Sequence, residues 1–127
     1  PDKLICHAQT DSETCLRMIA EAKVSLNVMP WFKDGAHDRV FNSILNGAVC
    51  VTDPSCYLEE ELHEGEGVCY VALHDMDALP EKVKDLLQND SGRNEIVRRG
   101  RAIVEQKHTW AQRAKTLAAW IAEDAAQ

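Results

Sequence analysis

The sequence predicts a three-layer α/β domain, in which a parallel sheet of about four strands has helices on both faces. Short apolar segments alternate along the chain with segments whose apolar residues recur at helical spacing. One short segment, residues 48–52, is apolar throughout, which is typical of a strand buried on both faces. The 127 residues, 45% of them hydrophobic, suffice for one domain with its own core.

Each element follows from local signals. The expected strands are residues 4–6, 23–29, 48–52 and 68–71. The expected helices between them are one capped by residues 10–12, one over 37–46, a short one over 57–63, and one from near Asp77 to Gln88. Two further helices, capped by Ser91 and Thr109, follow without a strand between them and form a C-terminal appendage that either packs on the sheet or reaches a neighbour.

Composition excludes several classes of protein. The net charge of −7 leaves no excess of basic residues to wrap a nucleic-acid backbone. The sequence contains no run of about 18 apolar residues, so it predicts no membrane span. The five cysteines are odd in number and irregularly spaced, so we interpret them as free and mostly buried thiols, which favours a reducing, cytoplasmic location. Because the first residue is Pro1 rather than Met, we expect a processed chain or a part of a longer protein.

The first candidate binding segment follows the second strand, because ligands of open parallel sheets bind beyond the carboxyl ends of strands. Gly35, Ala36 and His37 open a helix whose free N–H groups and dipole suit a phosphate. Arg39 adds a planar cation, and Asn42, one turn on, can bind sugar or ribose hydroxyls. The alternative is that these residues form an ordinary solvated first turn.

The second candidate segment follows the buried third strand. Thr52 begins a polar loop in which Ser55 and Tyr57 can touch a ligand, and Glu59 can accept hydrogen bonds from hydroxyls. The alternative is a simple turn followed by a solvated acidic face.

Other sites are not predicted. The scattered His63, His74 and His108 lack metal-ligand spacing, and the sequence contains no dinucleotide fingerprint, phosphate-binding Walker loop or serine elbow. Thr109 and Trp110 are interpreted as a helix cap with an indole that packs against the domain.

Residues 25–113, about seven tenths of the chain, resemble the C-terminal domain of the glycosyl transferases group 1 family, in the variety found in spore-maturation (CgeB-like) proteins. The residues that carry the resemblance are 26–27, 34–42, 46–48, 52–54, 57–59, 108–110 and Arg113. The resemblance implies the C-terminal, Rossmann-like half of a two-domain GT-B enzyme, with residues 1–127 forming one nucleotide-sugar-binding domain. Its partner is then an N-terminal acceptor-binding domain of the same polypeptide.

The resemblance also implies roles for individual residues. Two acidic positions eight apart flank the helix start in that family, and the second holds ribose hydroxyls; here they are Asp34 and Asn42, so an amide replaces the usual Glu. His37 and Arg39 are then expected near the diphosphate, and Glu59 near the nucleotide end. The donor is a nucleotide-diphosphate sugar, with no cofactor and no metal. We expect the isolated chain to bind it weakly without turnover.

Two alternatives stay open at this stage. The chain can be a non-catalytic module that kept the fold and lost the chemistry, as the Asn42 substitution suggests. It can also be an interaction domain whose C-terminal helices dock a partner through Trp110 and Trp120.

Overall fold

Three parallel strands form the sheet of this domain. A computed structural model describes residues 5–31 and 34–125 of the chain. The strands are β1 (Val24–Asn27), β2 (Val49–Thr52) and β3 (Val68–Tyr70), and their order in the sheet is β1-β2-β3. Both pairs are parallel, with Leu26 opposite Val51 and Val51 opposite Cys69. The predicted α/β class with a parallel sheet is therefore confirmed.

Of the strand expected at residues 4–6, the described residues 5 and 6 are not part of this sheet. Leu4 lies outside the described residues, and Ile5 and Cys6 have no regular secondary structure. Ile5 is 75% exposed. Three apolar residues in a row therefore predicted a strand that has no sheet neighbour in the described structure, and an isolated strand cannot satisfy its backbone groups.

Six α-helices and one 3₁₀ helix are found within the described residues. They are α1 (Ser12–Glu21), α2 (Asp38–Leu45), α3 (Cys56–Glu61), the 3₁₀ helix Leu73–Ala78, α4 (Leu79–Gln88), α5 (Asp90–Lys107) and α6 (Trp110–Asp124). The Thr109 hydroxyl caps α6 as predicted. The predicted cap Ser91 is wrong: the Asn89 side chain accepts from the Gly92 N–H at 2.8 Å, so α5 begins two residues earlier.

One face of the sheet, here called the α2–α3 face, is covered by α2 and α3. The crossovers β1-α2-β2 and β2-α3-β3 run in the same direction, and right-handed crossovers of that kind place both helices on one side. Its core comprises the buried residues Met29, Val40, Phe41, Ile44, Cys50, Leu58, Leu62, Val68 and Val104.

The opposite face, here called the α4 face, has a smaller core. Val49, Val51, Cys69 and Val71 project from the strands, and apolar residues of α4 such as Val83 pack on them. Helices thus cover both faces, as the three-layer prediction required.

Helix α5 contributes to both cores. Ile96 and Val97 pack on the α4 face, whereas Ile103 packs on the α2–α3 face. The helix passes the turn before β3 at Gly100, where a Cβ atom would lie 2.5 Å from the Glu66 carbonyl oxygen. Only a glycine permits this close approach of helix and turn.

Two expectations about side-chain burial were wrong. Only Cys50 and Cys69 are buried, whereas the other three cysteines are exposed. Trp110 is 84% exposed rather than packed against the domain, because α6 lies on the surface without a buried residue. No helix in the described part of the chain is both long enough and apolar enough to cross a bilayer.

Candidate functional site

The loops that follow β1 and β2 are fixed to each other at the carboxyl edge of the sheet. The Met29 N–H donates to Asp53 Oδ1 at 2.7 Å, and the Ser55 hydroxyl donates to the Gly35 carbonyl at 2.6 Å. Asp53 and Ser55 are both buried. The segment that leads into α2 therefore rests on a rigid support supplied by the next strand of the sheet.

The first turn of α2 is closed by its own cap. His37 Nδ1 accepts from the Arg39 N–H at 3.2 Å and lies 3.4 Å from Arg39 Nε. The Asp38 carboxylate contacts the same ring nitrogen. The Arg39 N–H, one of the groups expected to bind a phosphate, is thus already occupied. A phosphate can reach it only if the imidazole moves aside.

Two serines attach α2 to the sheet behind this turn. The Ser43 hydroxyl donates to the Arg39 carbonyl at 2.7 Å, and Ser25 of β1 donates to Ser43 at 2.6 Å. The Ser25–Ser43 bond consequently attaches the second half of α2 to β1, while the Arg39 side chain, whose Nε contacts His37, is exposed.

The strand-end hollow lies beyond β2 and β3 and has a volume of about 320 Å³. It is lined by Met29, Pro30, Asp53, Pro54, Ser55, Cys56, Glu59, Ala72, Leu73 and His74. Two carboxylates belong to this lining: Glu59 is exposed to the space, whereas Asp53 is buried and its Oδ1 already accepts from the Met29 N–H. Carboxylates accept hydrogen bonds from hydroxyls and repel phosphates, so this hollow suits a polyhydroxylated group.

The α2–α6 hollow lies between α2 and the start of α6, and its volume is also about 320 Å³. It is lined by Ala36, Asp38, Phe41, Asn42, Leu45, His108, Thr109, Trp110 and Arg113. Its charges, one carboxylate and one guanidinium, balance, and much of its wall is apolar. A flat, largely uncharged group with hydroxyls fits this lining.

The start of α6 is attached to α2 and α3 by an aromatic and cationic contact. The His108 imidazole stacks on the Phe41 ring, with centroids 4.8 Å apart. Arg113 lies 5.3 Å above the same ring and donates to the Tyr57 hydroxyl at 3.1 Å. Such cation–π and hydrogen-bond contacts fix the wall of the α2–α6 hollow.

His108 is buried at the centre of this contact. Its Nδ1 lies 3.3 Å from Arg113 Nη2, and its Nε2 lies 3.3 Å from Glu61 Oε2 in an orientation that makes no hydrogen bond. Burial lowers the pKa of His108 below its ordinary value, although the Glu61 carboxylate opposes that shift. The neutral imidazole, which can accept from Arg113, is therefore favoured.

A third hollow lies between α3 and α6 and shares His108 and Arg113 with the α2–α6 hollow. Its volume is about 460 Å³, and its lining includes Tyr57, Glu61, Lys107 and Trp120. Tyr57 thus serves mainly as the partner of Arg113 and faces neither of the first two hollows.

The predicted residues divide between these places. Ala36 and Asn42 line the α2–α6 hollow, and Ser55 and Glu59 line the strand-end hollow. Three of the others, Gly35, His37 and Arg39, belong to the segment around the start of α2. Asp34 is exposed just before this segment, and Thr52 is buried behind it. Asn42 and Glu59 therefore do not share a hollow.

Sequence reasoning missed several lining residues. Trp110, Arg113, Asp53 and His74 line the two hollows but were not proposed as ligand contacts. The sequence did contain a signal for Trp110, Arg113 and Asp53, because these three belong to the pattern of residues that carried the family resemblance. Asn27 was also missed: it is buried, its amide donates to the Thr52 hydroxyl at 3.0 Å, and its Oδ1 has no described partner.

Comparison with known proteins assigns the family. An α/β domain with a hollow at the carboxyl ends of its parallel strands has the arrangement in which open α/β sheets bind their ligands. The family described as "Glycosyl transferase-like" matches residues 3–119. The chain therefore belongs to the glycosyl transferase-like family. No curated protein and no solved structure is similar enough to count as a match.

Proposed function

We propose that this domain binds the nucleotide-diphosphate-sugar donor of a glycosyltransferase that transfers a hexosyl group. The proposal includes the finer assignment to the CgeB-like variety and to the C-terminal half of a GT-B protein. The observation that carries it is the position of the segment before α2: Ala36 lines the α2–α6 hollow, and the carbonyl of Gly35 accepts a hydrogen bond from Ser55, which lines the strand-end hollow. Membership of the glycosyl transferase-like family supports it.

The chemistry of the two hollows suggests how the donor lies. The acidic strand-end hollow accepts the hydroxyls of the sugar, where Glu59 is available. The α2–α6 hollow takes the nucleoside, with Asn42 bound to ribose hydroxyls. The diphosphate then passes over the start of α2, near His37 and Arg39. This arrangement places Glu59 at the sugar end of the donor, in contrast to the nucleotide end that the family resemblance implied.

A metal is not required for this arrangement. The positive end of the α2 dipole and the Arg39 guanidinium together offset the charge of the diphosphate and stabilise it as a leaving group. Among the described residues, no carboxylate lies within ion-pair distance of Arg39, so its charge is available to the ligand. The His37 ring leaves the Arg39 N–H when the phosphate binds.

Transfer itself requires a second domain in this proposal. The acceptor is bound by an N-terminal domain of the same polypeptide, and the reaction takes place in the cleft between the two. The 127-residue chain alone is then a weak binder without transferase activity.

Binding of UDP, GDP and ADP sugars to the chain tests the proposal, followed by amide chemical shifts and calorimetry. Shifts should be confined to residues around the start of α2, the two hollows and α6. Arg39→Ala should weaken nucleotide binding about 10- to 100-fold, because a charge-assisted hydrogen bond is lost. Asn42→Ala should weaken it about 5-fold.

Arg101→Ala is the matched control, because Arg101 is an exposed guanidinium on α5 paired with Glu105 at 2.8 Å. It should leave binding unchanged. The absence of shifts with every nucleotide would contradict the proposal. Unchanged affinity in the Arg39 variant would reject its role at the diphosphate.

A protein-interaction module is the second candidate, and the surface of α6 favours it. Trp110, Leu117, Trp120 and Ile121 are all more than half exposed. Exposed apolar residues on one helix are typical of a binding surface. A domain that binds no nucleotide, but whose partner binding is lost in Trp120→Ala, would support this second candidate.

A further inference from the structure

We infer that Trp110 is the platform on which the base of the nucleotide stacks, so that the start of α6 forms part of the donor site. This inference rests on the proposed function and adds a residue to it. The role of Trp110 is carried by its exposure, by its position in the α2–α6 hollow and by the contacts that fix its backbone.

The indole of Trp110 is exposed at the mouth of a hollow. Trp110 is 84% exposed, yet it lines the same space as Asn42. An uncovered indole leaves a large apolar surface in contact with water, and a flat ring that stacks on it removes that surface from water. Nucleobases stack on aromatic side chains in this way, whatever their hydrogen-bonding edges.

The platform is held at a fixed position relative to α2. Trp110 is the first residue of α6, directly after the cap Thr109, whose hydroxyl accepts from the Gln112 N–H at 3.3 Å. On one side His108 stacks on Phe41, and on the other Arg113 reaches Tyr57. The backbone below the indole is thereby tied to the α2–α3 core at two points.

The size and charge of the hollow favour a nucleoside over other parts of the donor. Its volume of about 320 Å³ lies at the lower end of small-molecule sites, so it accepts one part of a nucleotide sugar. The guanidinium in its lining, Arg113, already contacts Tyr57 and His108, whereas Phe41 and Leu45 offer apolar walls. Asn42 then binds the hydroxyls of the ribose, which is attached to the stacked base.

Two tryptophan variants and two kinds of probe test the inference. Trp110→Ala should weaken binding of UDP and ADP about 5- to 100-fold. Trp110→Phe, which keeps an aromatic ring, should retain most of the affinity. Trp120→Ala is the matched control, because Trp120 is also exposed on α6 but lines the hollow between α3 and α6. It should bind as the unchanged protein does.

Inorganic pyrophosphate is the second probe, because it carries the charge of the donor without the base. Its affinity should be the same for Trp110→Ala and the unchanged protein. If UDP and ADP bind the Trp110→Ala variant undiminished, the inference is overturned while the proposed function stands. If no nucleotide binds the unchanged protein, both are overturned. Because the indole is exposed, we expect an unaltered urea midpoint, which verifies that the variant is folded.

Discussion

The Ser55 hydroxyl donates a hydrogen bond of 2.6 Å to the Gly35 carbonyl and accepts one of 3.2 Å from the Leu58 N–H. One buried side chain thus begins α3 and also holds the segment that leads into α2. The local structure of one candidate binding segment therefore depends on a residue from the other.

Ser55→Ala should destabilise the domain by about 1–3 kcal/mol, since it removes a helix cap and a buried hydrogen bond together. Urea unfolding measures this change. Ser91→Ala is the control, because Ser91 lies in the exposed first turn of α5 and is not its cap. Equal midpoints for the two variants would contradict the role of Ser55.

Gly100→Ala should destabilise the domain by about 2 kcal/mol or more. The new Cβ would lie 2.5 Å from backbone atoms of Glu66 and Gly67, which cannot move without distorting the turn before β3. This cost exceeds the gain of about 1 kcal/mol that alanine brings to a helix. Thermal or urea unfolding provides the measurement.

Gly92→Ala on the same helix is the matched control for Gly100. Its Cβ would meet only the Asn89 side chain among its three nearest atoms, and that side chain can move. The loss of its cap on the Gly92 N–H costs about 1 kcal/mol, which the helix propensity of alanine offsets. Its free energy of unfolding should change by less than about 1 kcal/mol. A smaller effect at position 100 than at position 92 would show that α5 does not cross the turn this closely.

The free energy of unfolding should decrease as the pH is lowered from about 7.5 to 5.5, in part because of His108. Burial lowers its pKa in the folded state below the value of 6.5 of a free side chain, so the unfolded chain binds the proton first. The contribution of the neutral His108 to the free energy of unfolding is fully present above pH 6.5, and it is lost as the pH falls through the lower folded-state pKa. Urea midpoints at several pH values measure the loss.

Two substitutions isolate the contribution of His108 from that of the carboxylates. His108→Gln should show a shallower dependence on pH, because no imidazole remains to be protonated there. His63→Gln, at an exposed position, should keep the dependence of the unchanged protein. If the three profiles coincide, His108 does not control this titration.

Three of the five thiols should react with a thiol reagent in the native protein. Cys6, Cys15 and Cys56 are exposed, whereas burial raises the pKa of Cys50 and of Cys69 to about 11 each. At pH 8 the two buried thiols are protonated and shielded, so they should react only through unfolding. Mass spectrometry after timed labelling counts the modified cysteines, and urea should expose all five.

Local signals in the sequence were sufficient for most of the fold. The continuous apolar run 48–52 gave the buried central strand β2, and caps such as Thr109 placed helix starts. The strand predicted at residues 4–6 was wrong for the described residues 5 and 6, because a strand forms only by pairing with another strand, and local composition does not encode that pairing. The cap of α5 was misplaced because Asn89 and Ser91 are both good capping residues, and only the geometry decides between them.

The candidate site was predicted less completely than the fold. Spacing along the chain identified the segments after β1 and β2, but it could not divide Asn42 and Ser55 between two hollows, since that depends on where α6 packs. Trp110 was expected to be packed because indoles are large and apolar. It is exposed because α6 lies on the surface without a buried residue, and no local pattern predicts where a helix packs.

Helix α5 has a consequence for how the domain unfolds. The first half of α5 packs in the core of the α4 face and its second half in the core of the α2–α3 face. Unfolding of either core therefore disturbs the helix that the other core also needs. The two sides of the sheet are expected to lose their amide protection together, as one cooperative unit, whereas α6 exchanges far earlier.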